Sequence, residues 1–327
     1  MPTPLRSRRL VLAATALLST ALLAIQADAR PWRHGVIEPK SDAGFILMSS
    51  ERDFAKQHGL DIEIVSLKNE NLGLRGILSG ELDSYEGSPP VAAMTRGADV
   101  KAIGCSWSLV PHLIFARADV KDVKGLAGKT IATSAPGSMP DIIGHLAIEK
   151  AGLDQASVKT ANVGGDTDRY RSLIGGVVDA AVISAEYIPI MDLTKVHEIA
   201  KGSEAAPEYI RTCYTVTSKE IASRPDDVAI FLAAEMDGFR YAMSHKAEAV
   251  ALAQKAAGQK PDDPRPAFIY DLAIKANMID WTLPIPVDKL DAMQVTLARF
   301  GGSSTPIDVN KMYDPKPREK ALSLLGK

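Results

Sequence analysis

Short apolar or alternating runs along this chain give way repeatedly to helical spacing. That pattern predicts an α/β protein with mainly parallel sheets. Residues 35–38 read as a first short strand, and residues 45–58 as a helix stopped at Gly59, a residue suited to the left-handed position after a helix. Residues 61–67 alternate as a strand, and residues 72–78 form a helix stopped by Gly80. A strand over 82–85 ends in Glu86-Gly87-Ser88-Pro89-Pro90, where Ser88 suits an N-cap and Pro89 the first position of a helix through Thr95. Residues 100–105 make the next strand.

A second series follows "VKDVKGLAGKT". Its predicted strands are 130–133, 158–162, 178–183 and 196–199. Its helices are 140–151, 167–174 and a short one near Tyr187. Residues 209–217 read as one more strand, and from Asp226 onward the pattern is helical, broken by "GQKPDDPRP" and "PIP". Two βα series and a helical tail predict two lobes, each with its own sheet. The first would span residues 30–115 and take back the tail, 209–327. The second would span 118–205.

The N-terminus reads differently. Arg6, Arg8 and Arg9 precede a run from Leu10 to Ile25 that holds only apolar residues, Ser and Thr, and Ala27-Asp28-Ala29 follows. This is the pattern of a secretory signal peptide, residues 1–29, cleaved after Ala29, because the run is too short to span a bilayer. Ser7-Arg8-Arg9 leaves both the general and the twin-arginine export routes open. The mature chain is therefore expected to be soluble and exported. The net charge of −2 becomes about −4 once this segment leaves, so no basic field for nucleic acid exists. The two cysteines, Cys105 and Cys213, either pair in an oxidising compartment or stay as buried thiols.

Catalytic motifs fail on context. Gly128-Lys129-Thr130 resembles part of a phosphate-binding loop, but Val123 stands where that motif needs glycine, and a strand follows where it needs a helix. G-x-G-x-x-G, G-x-S-x-G, H-E-x-x-H and C-x-x-C are all missing, so no cofactor or metal is expected. Asp166 and Asp168 suit capping of a helix start better than paired catalysis.

What remains is a set of loops at the carboxyl ends of strands, each opening a helix: Ser41-Asp42, Gly87-Ser88, Ser134 to Ser138, Gly165-Asp166-Thr167, and Ser184 to Tyr187. Ligands of open α/β sheets bind at such ends. Helix N-termini from two lobes would converge there on one polar or anionic ligand. Serine, threonine and glycine suit reversible binding and include no activated nucleophile.

Several stretches, in order, carry a family resemblance: "FAKQHGLDIEIV", "GILSGELDSYEGSPP", "GADVKAIG", "VKDVKGLAGKTIATSAPGS", "EKAGLDQASVKTANVGG", "DRYRSLIGGVVDAAVIS" and "IDVNKMYD". The chain resembles the periplasmic substrate-binding proteins of ABC importers, in the branch of aliphatic-sulfonate, nitrate and thiamine-pyrimidine binders. The resemblance implies the periplasm as location, and two Rossmann-like lobes, a cleft ligand and hinge closure, with hinges near 112–118 and 209–214. It also implies cleft contacts near Ser41, Ser88, Trp107, Ser134, Gly137, Ser138, Gly165 and Glu186; Asp42, Gly87 and Tyr187 join them as loop neighbours.

The sequence departs from the family at "SAEYIP", where proline is common in place of Glu186 or Tyr187. Glu186 in the cleft would favour a ligand with a cationic or hydrogen-donating part, whereas ordinary surface preference leaves it solvated. Trp107 and Tyr187 either stack on a ligand ring or pack in the core. Arg169 suits bidentate clamping of a carboxylate, and a solvent-facing position is expected for it. The reading is a monomeric, non-enzymatic receptor that takes a small polar, anionic organic ligand and hands it to an ABC permease. Alternatives are an enzyme on the same fold, resembling thiamine-pyrimidine synthases or decarboxylases, with Cys105 and His112 as its nearest reactive groups, or a periplasmic sensor domain.

Overall fold

The computed structural model describes residues 30–107, 109–300 and 305–327. The expected signal peptide lies outside the described residues. Trp32–Lys327 form one unit built on ten strands: β1 (Trp32–Ile37), β2 (Ile62–Leu67), β3 (Ser84–Gly87), β4 (Val100–Trp107), β5 (His112–Arg117), β6 (Thr130–Thr133), β7 (Lys159–Asn162), β8 (Ala180–Ser184), β9 (Val196–Lys201) and β10 (Thr212–Thr217). They make two five-stranded sheets of order β2-β1-β3-β10-β4 and β7-β6-β8-β5-β9. Each sheet belongs to one lobe, and the expected α/β class with mainly parallel sheets stands.

In each sheet four strands run one way and one runs against them, β10 in the first and β5 in the second. Each reversed strand is the one the chain enters on crossing from the other lobe. Its amino end therefore lies at the same sheet edge as the carboxyl ends of its neighbours. Trp107 pairs with Thr212 at that edge of the first sheet, and His112 pairs with Ser184 at that of the second.

Period-two alternation splits each strand between two cores. On β8, Val182 packs with Ile131, Ile142 and Ile143 under the helix Met139–Lys150. Its neighbours Ala181 and Ile183 pack with Phe115 and Leu173 under the helix Asp166–Ile174. Burying each such large aliphatic chain stabilises the fold by about 1.5–3 kcal/mol. In the first lobe the helix Pro225–Ser244 covers the sheet, with Phe231 stacked on Trp32 at 5.3 Å and edge-on to Tyr214 at 5.5 Å. The helix Glu70–Ser79 starts where Asn69 accepts from the Leu72 N–H and stops at Gly80, whose φ of 77° a side chain would resist. Gly35 on β1 is needed for closeness, since a Cβ there would meet Leu67 and Leu82 at 2.6 and 2.9 Å.

Several local expectations change. Residues 112–117, expected near a hinge, form β5 between β8 and β9, so the first crossover lies between Trp107 and His112. The strand expected over 209–217 is present as Thr212–Thr217, so the second crossover runs through 202–211, and of the hinge expected near 209–214 only 209–211 lies before β10. The expected helix over 45–58 breaks into Ala43–Ile46, Met48–Glu51 and a 3-10 turn Phe54–His58, with Asp53 at φ 51° interrupting it. Ser88 caps no helix: its Oγ donates to the Arg211 carbonyl, and the helix Val91–Met94 starts from Pro90.

Candidate functional site

The converging strand ends enclose a cleft of about 260 Å³ between the two sheets. From the first lobe it is lined by Lys40, Asp42, Glu70, Glu86 and Arg211. From the second it is lined by His112, Ser138, Asp166 and Arg169. A small extension reaches Trp107 and Glu186.

Each cation here meets an acid. Arg169, 2% exposed, donates from Nε to the Val182 carbonyl and from Nη2 to Asp166, both at 2.6 Å, and from Nη1 to the Gly164 carbonyl. Arg211 bonds Asp42 and lies over the Trp107 ring at 4.6 Å. Lys40 Nζ reaches Asp166 across the cleft at 3.5 Å. Burial works against the Asp166 carboxylate, yet it is held below the usual range by His112, Lys40, Arg169 and the Ser184 N–H. Burial also pushes the His112 imidazole down to about 3, so it is neutral at pH 7 and the stabilisation of Asp166 falls to Lys40, Arg169 and Ser184.

The acids are less well matched. Glu70 accepts from the Ser88 N–H at 3.0 Å, and Glu186 from the Ser41 N–H at 3.2 Å. Burial pushes both above the ordinary carboxyl value, and Asp42 adds to it at Glu186. The Glu86 side chain has no hydrogen-bond partner among the described residues and is pushed up to about 8, first by burial and then by Asp42. Three buried polar atoms on cleft-lining residues are also unpartnered: Arg211 Nη1, His112 Nδ1 and Ser138 Oγ. Among the described residues no group of three His, Cys, Asp or Glu side chains is arranged to hold a metal ion.

Of the residues singled out from sequence, Asp42, Gly87, Ser88, Ser134, Ser138 and Gly165 line the cleft, and Trp107 and Glu186 line its extension. Ser41 sits behind them: its N–H meets Glu186 and its Oγ accepts from Gln259. Gly137 turns the loop at φ 78° and donates to Asp141. Tyr187 faces away, its hydroxyl 2.6 Å from Thr167 and Arg265 above its ring. Arg169 is wholly interior, so the solvent-facing position expected for it is corrected, and Glu186, 6% exposed, takes the cleft side of its two alternatives rather than the solvated one. Each is held inside by specific partners that outweigh the surface preference of its type. Sequence reasoning missed Glu70, Glu86, Lys40 and Arg211. Glu86 lay within a quoted stretch, but nothing local said that its carboxylate turns inward.

Two lobes, two crossovers and a cleft between the sheet ends define the periplasmic binding-protein fold. The chain belongs to the NMT1/THI5-like family, whose model matches residues 40–249. Among solved structures it is similar to the periplasmic aliphatic sulphonate binding protein SsuA from Escherichia coli, with 18% identity over 87% of this chain and 92% of that one and a TM-score of 0.72. It is similar also to the periplasmic nitrate-binding protein NrtA from Synechocystis PCC 6803, with 12% identity over 90% and 89% and a TM-score of 0.73. The desulfurization enzyme DSZB shares the fold as well, with 14% identity over 90% and 100% and a TM-score of 0.65. At these identities the likeness speaks for the fold alone. No curated protein matched by sequence.

Proposed function

We propose that this protein is an exported solute receptor, which captures a small polar ligand between its lobes in the periplasm and delivers it, unchanged, to an ABC permease. The observation that carries the reading is the cleft itself. It is flanked by two crossovers, lined from both lobes, and spanned by the Lys40–Asp166 and Ser41–Glu186 contacts. A ligand bridging those walls would stabilise the closed arrangement by its differential affinity for it. The binding proteins of sulfonate and nitrate that share the fold support the same role.

The enzyme reading rests on His112 and on the fold shared with a desulfurization enzyme. Cys105 no longer supports it, because that sulfur is bonded to Cys213. A thermal-shift screen of unfolded and refolded protein separates the two. A ligand at a hundred times its Kd should stabilise by about 2.7 kcal/mol. Recovery of the stabilising compound intact fits a receptor, and its consumption would replace that reading with an enzyme.

A further inference from the structure

The sequence-based expectation of an anionic ligand rested on helix N-termini, which serve any anion. The side chains around the cleft point elsewhere. Resting on the receptor reading above, we infer that the ligand carries a cationic nitrogen group, a protonated amine or amidine, received by Glu86 on the first lobe and by the His112 ring on the second.

Glu86 projects from the carboxyl end of β3, is 4% exposed, lines the cleft and has no hydrogen-bond partner for its side chain among the described residues. A buried carboxylate in that position lacks compensation that native structures ordinarily supply. Arg211 offsets part of it through space, but no cation of the protein bonds to Glu86. Arg169 is saturated by Val182, Gly164 and Asp166, Arg211 is bonded to Asp42, and Lys40 leans to Asp166. Glu70 and Glu186 have only backbone N–H partners. The carboxyl groups of Asp42, Glu70, Glu86, Asp166 and Glu186 thus line the cleft and its extension against the cations Lys40, Arg169 and Arg211, so ionising Glu86 calls for a further positive charge.

His112 adds a second acceptor. Its Nε2 lies 3.7 Å from Asp166 Oδ1, beyond hydrogen-bond reach, and the nearby carboxylate favours the ring proton on that nitrogen. Nδ1 then offers a lone pair, is buried, and has no partner. Glu86 and His112 Nδ1 both call for N–H donors. Arg211 Nη1 and Ser138 Oγ, also unpartnered, suit an acceptor atom at the ligand's other end. The cleft volume of about 260 Å³ confines the ligand to a small molecule.

The charged groups facing Glu86 are Asp42, Arg211, Glu70 and, from the helix behind, Glu235. Burial, Asp42, Glu235 and Glu70 favour the protonated acid up to about pH 8, against the opposing pull of Arg211. An arriving cation would ionise it, so binding releases a proton and tightens as pH rises toward 8.

The test is calorimetric titration of the whole protein with n-butylamine, putrescine, agmatine and benzamidine, against n-butanesulfonate and butyrate as anions of matched length. Titrations run at pH 6.5 and 8.5, in buffers of differing ionisation enthalpy. At least one cationic probe should bind about tenfold more tightly at the higher pH and release a proton at the lower one. Glu86→Gln should weaken it at least tenfold and remove the proton release. Binding of the anions and of no cationic probe would overturn this inference and leave the receptor reading standing. Cation binding with no proton release, or with affinity untouched by Glu86→Gln, would overturn it too. Failure of every probe of either sign would overturn both readings. Should Glu86→Gln fail to fold, the proton release of the unaltered protein still decides.

Discussion

Cys105 and Cys213 are bonded to each other as cross-strand partners on β4 and β10, at the point where the chain leaves the first lobe and the point where it returns. The whole second lobe lies within the 108-residue span that this bond closes. The disulfide thus fastens both crossovers at their first-lobe ends.

Loss of that bond should be costly because it frees a long loop in the unfolded chain. Loop-closure entropy for about 100 residues corresponds to roughly 4.7 kcal/mol, and measured losses run about 2–5. The double variant Cys105→Ser/Cys213→Ser should therefore show a much lower urea midpoint than the oxidised protein. Equal midpoints, or two free thiols titrated in the native protein, would rule the bond out.

Arg169 anchors the start of the helix Asp166–Ile174 to β8 through Val182 and to the loop before it through Gly164. Arg169→Met leaves the Asp166 carboxylate and two carbonyls buried with fewer partners. Removing one member of a buried pair typically costs about 3–5 kcal/mol. Urea unfolding should show a loss of that order, and Asp166→Asn added to Arg169→Met should recover part of it. A loss under about 1 kcal/mol would mean that Arg169 has found solvent.

Glu235 makes stability depend on pH in a direction opposite to most carboxylates. It accepts from Ser49 Oγ at 2.6 Å and from the Tyr214 hydroxyl at 2.7 Å, and burial pushes it from 4.5 up to about 7. Between those values the folded chain holds a proton that the unfolded chain has lost. Its contribution is complete below about pH 4.5 and is lost as pH rises through 7, by roughly 3 kcal/mol in all. Glu235→Gln cannot ionise, so the variant should gain on the wild type between pH 5 and pH 8. Urea melts of both proteins across that range check this, and a constant difference would contradict it.

The Ser41 N–H and the Glu186 carboxylate join the lobes beside the cleft. Hydrogen bonds to charged groups are worth about 1.5–3 kcal/mol, so Glu186→Ala should move the closed-to-open balance about tenfold or more toward open. Small-angle scattering of the ligand-free protein should then give a larger radius of gyration for the variant. An unchanged radius would show that the contact does not hold the lobes.

Much of this molecule follows from local pattern. The alternation of strand and helix, the stop at Gly80, and the Gly-Ser loops at strand ends all arise from neighbours in sequence, whose backbone preferences act over a few residues. The strand over residues 112–117 did not show itself in that way. Within "HLIFAR" the four residues 113–116 are an apolar run without alternation, too short to mark a strand by itself, and only its place between β8 and β9 makes it a central strand.

The site divides along the same line. Ser88, Ser134, Ser138 and Gly165 were legible because loop chemistry announces itself locally. Glu86, Arg211, Glu70 and His112 are brought together from positions far apart in the chain, and a charged residue carries no local mark of being turned inward. Sequence by itself determined the class of fold, the two βα series and the loops that open helices. Tertiary structure alone decided that Cys105 meets Cys213, that Arg169 is interior, and that the cleft holds more carboxyl groups than cations. Charge balance in a buried site is a sum over groups from both lobes, and it exists only once the chain has brought them within a few ångströms of one another.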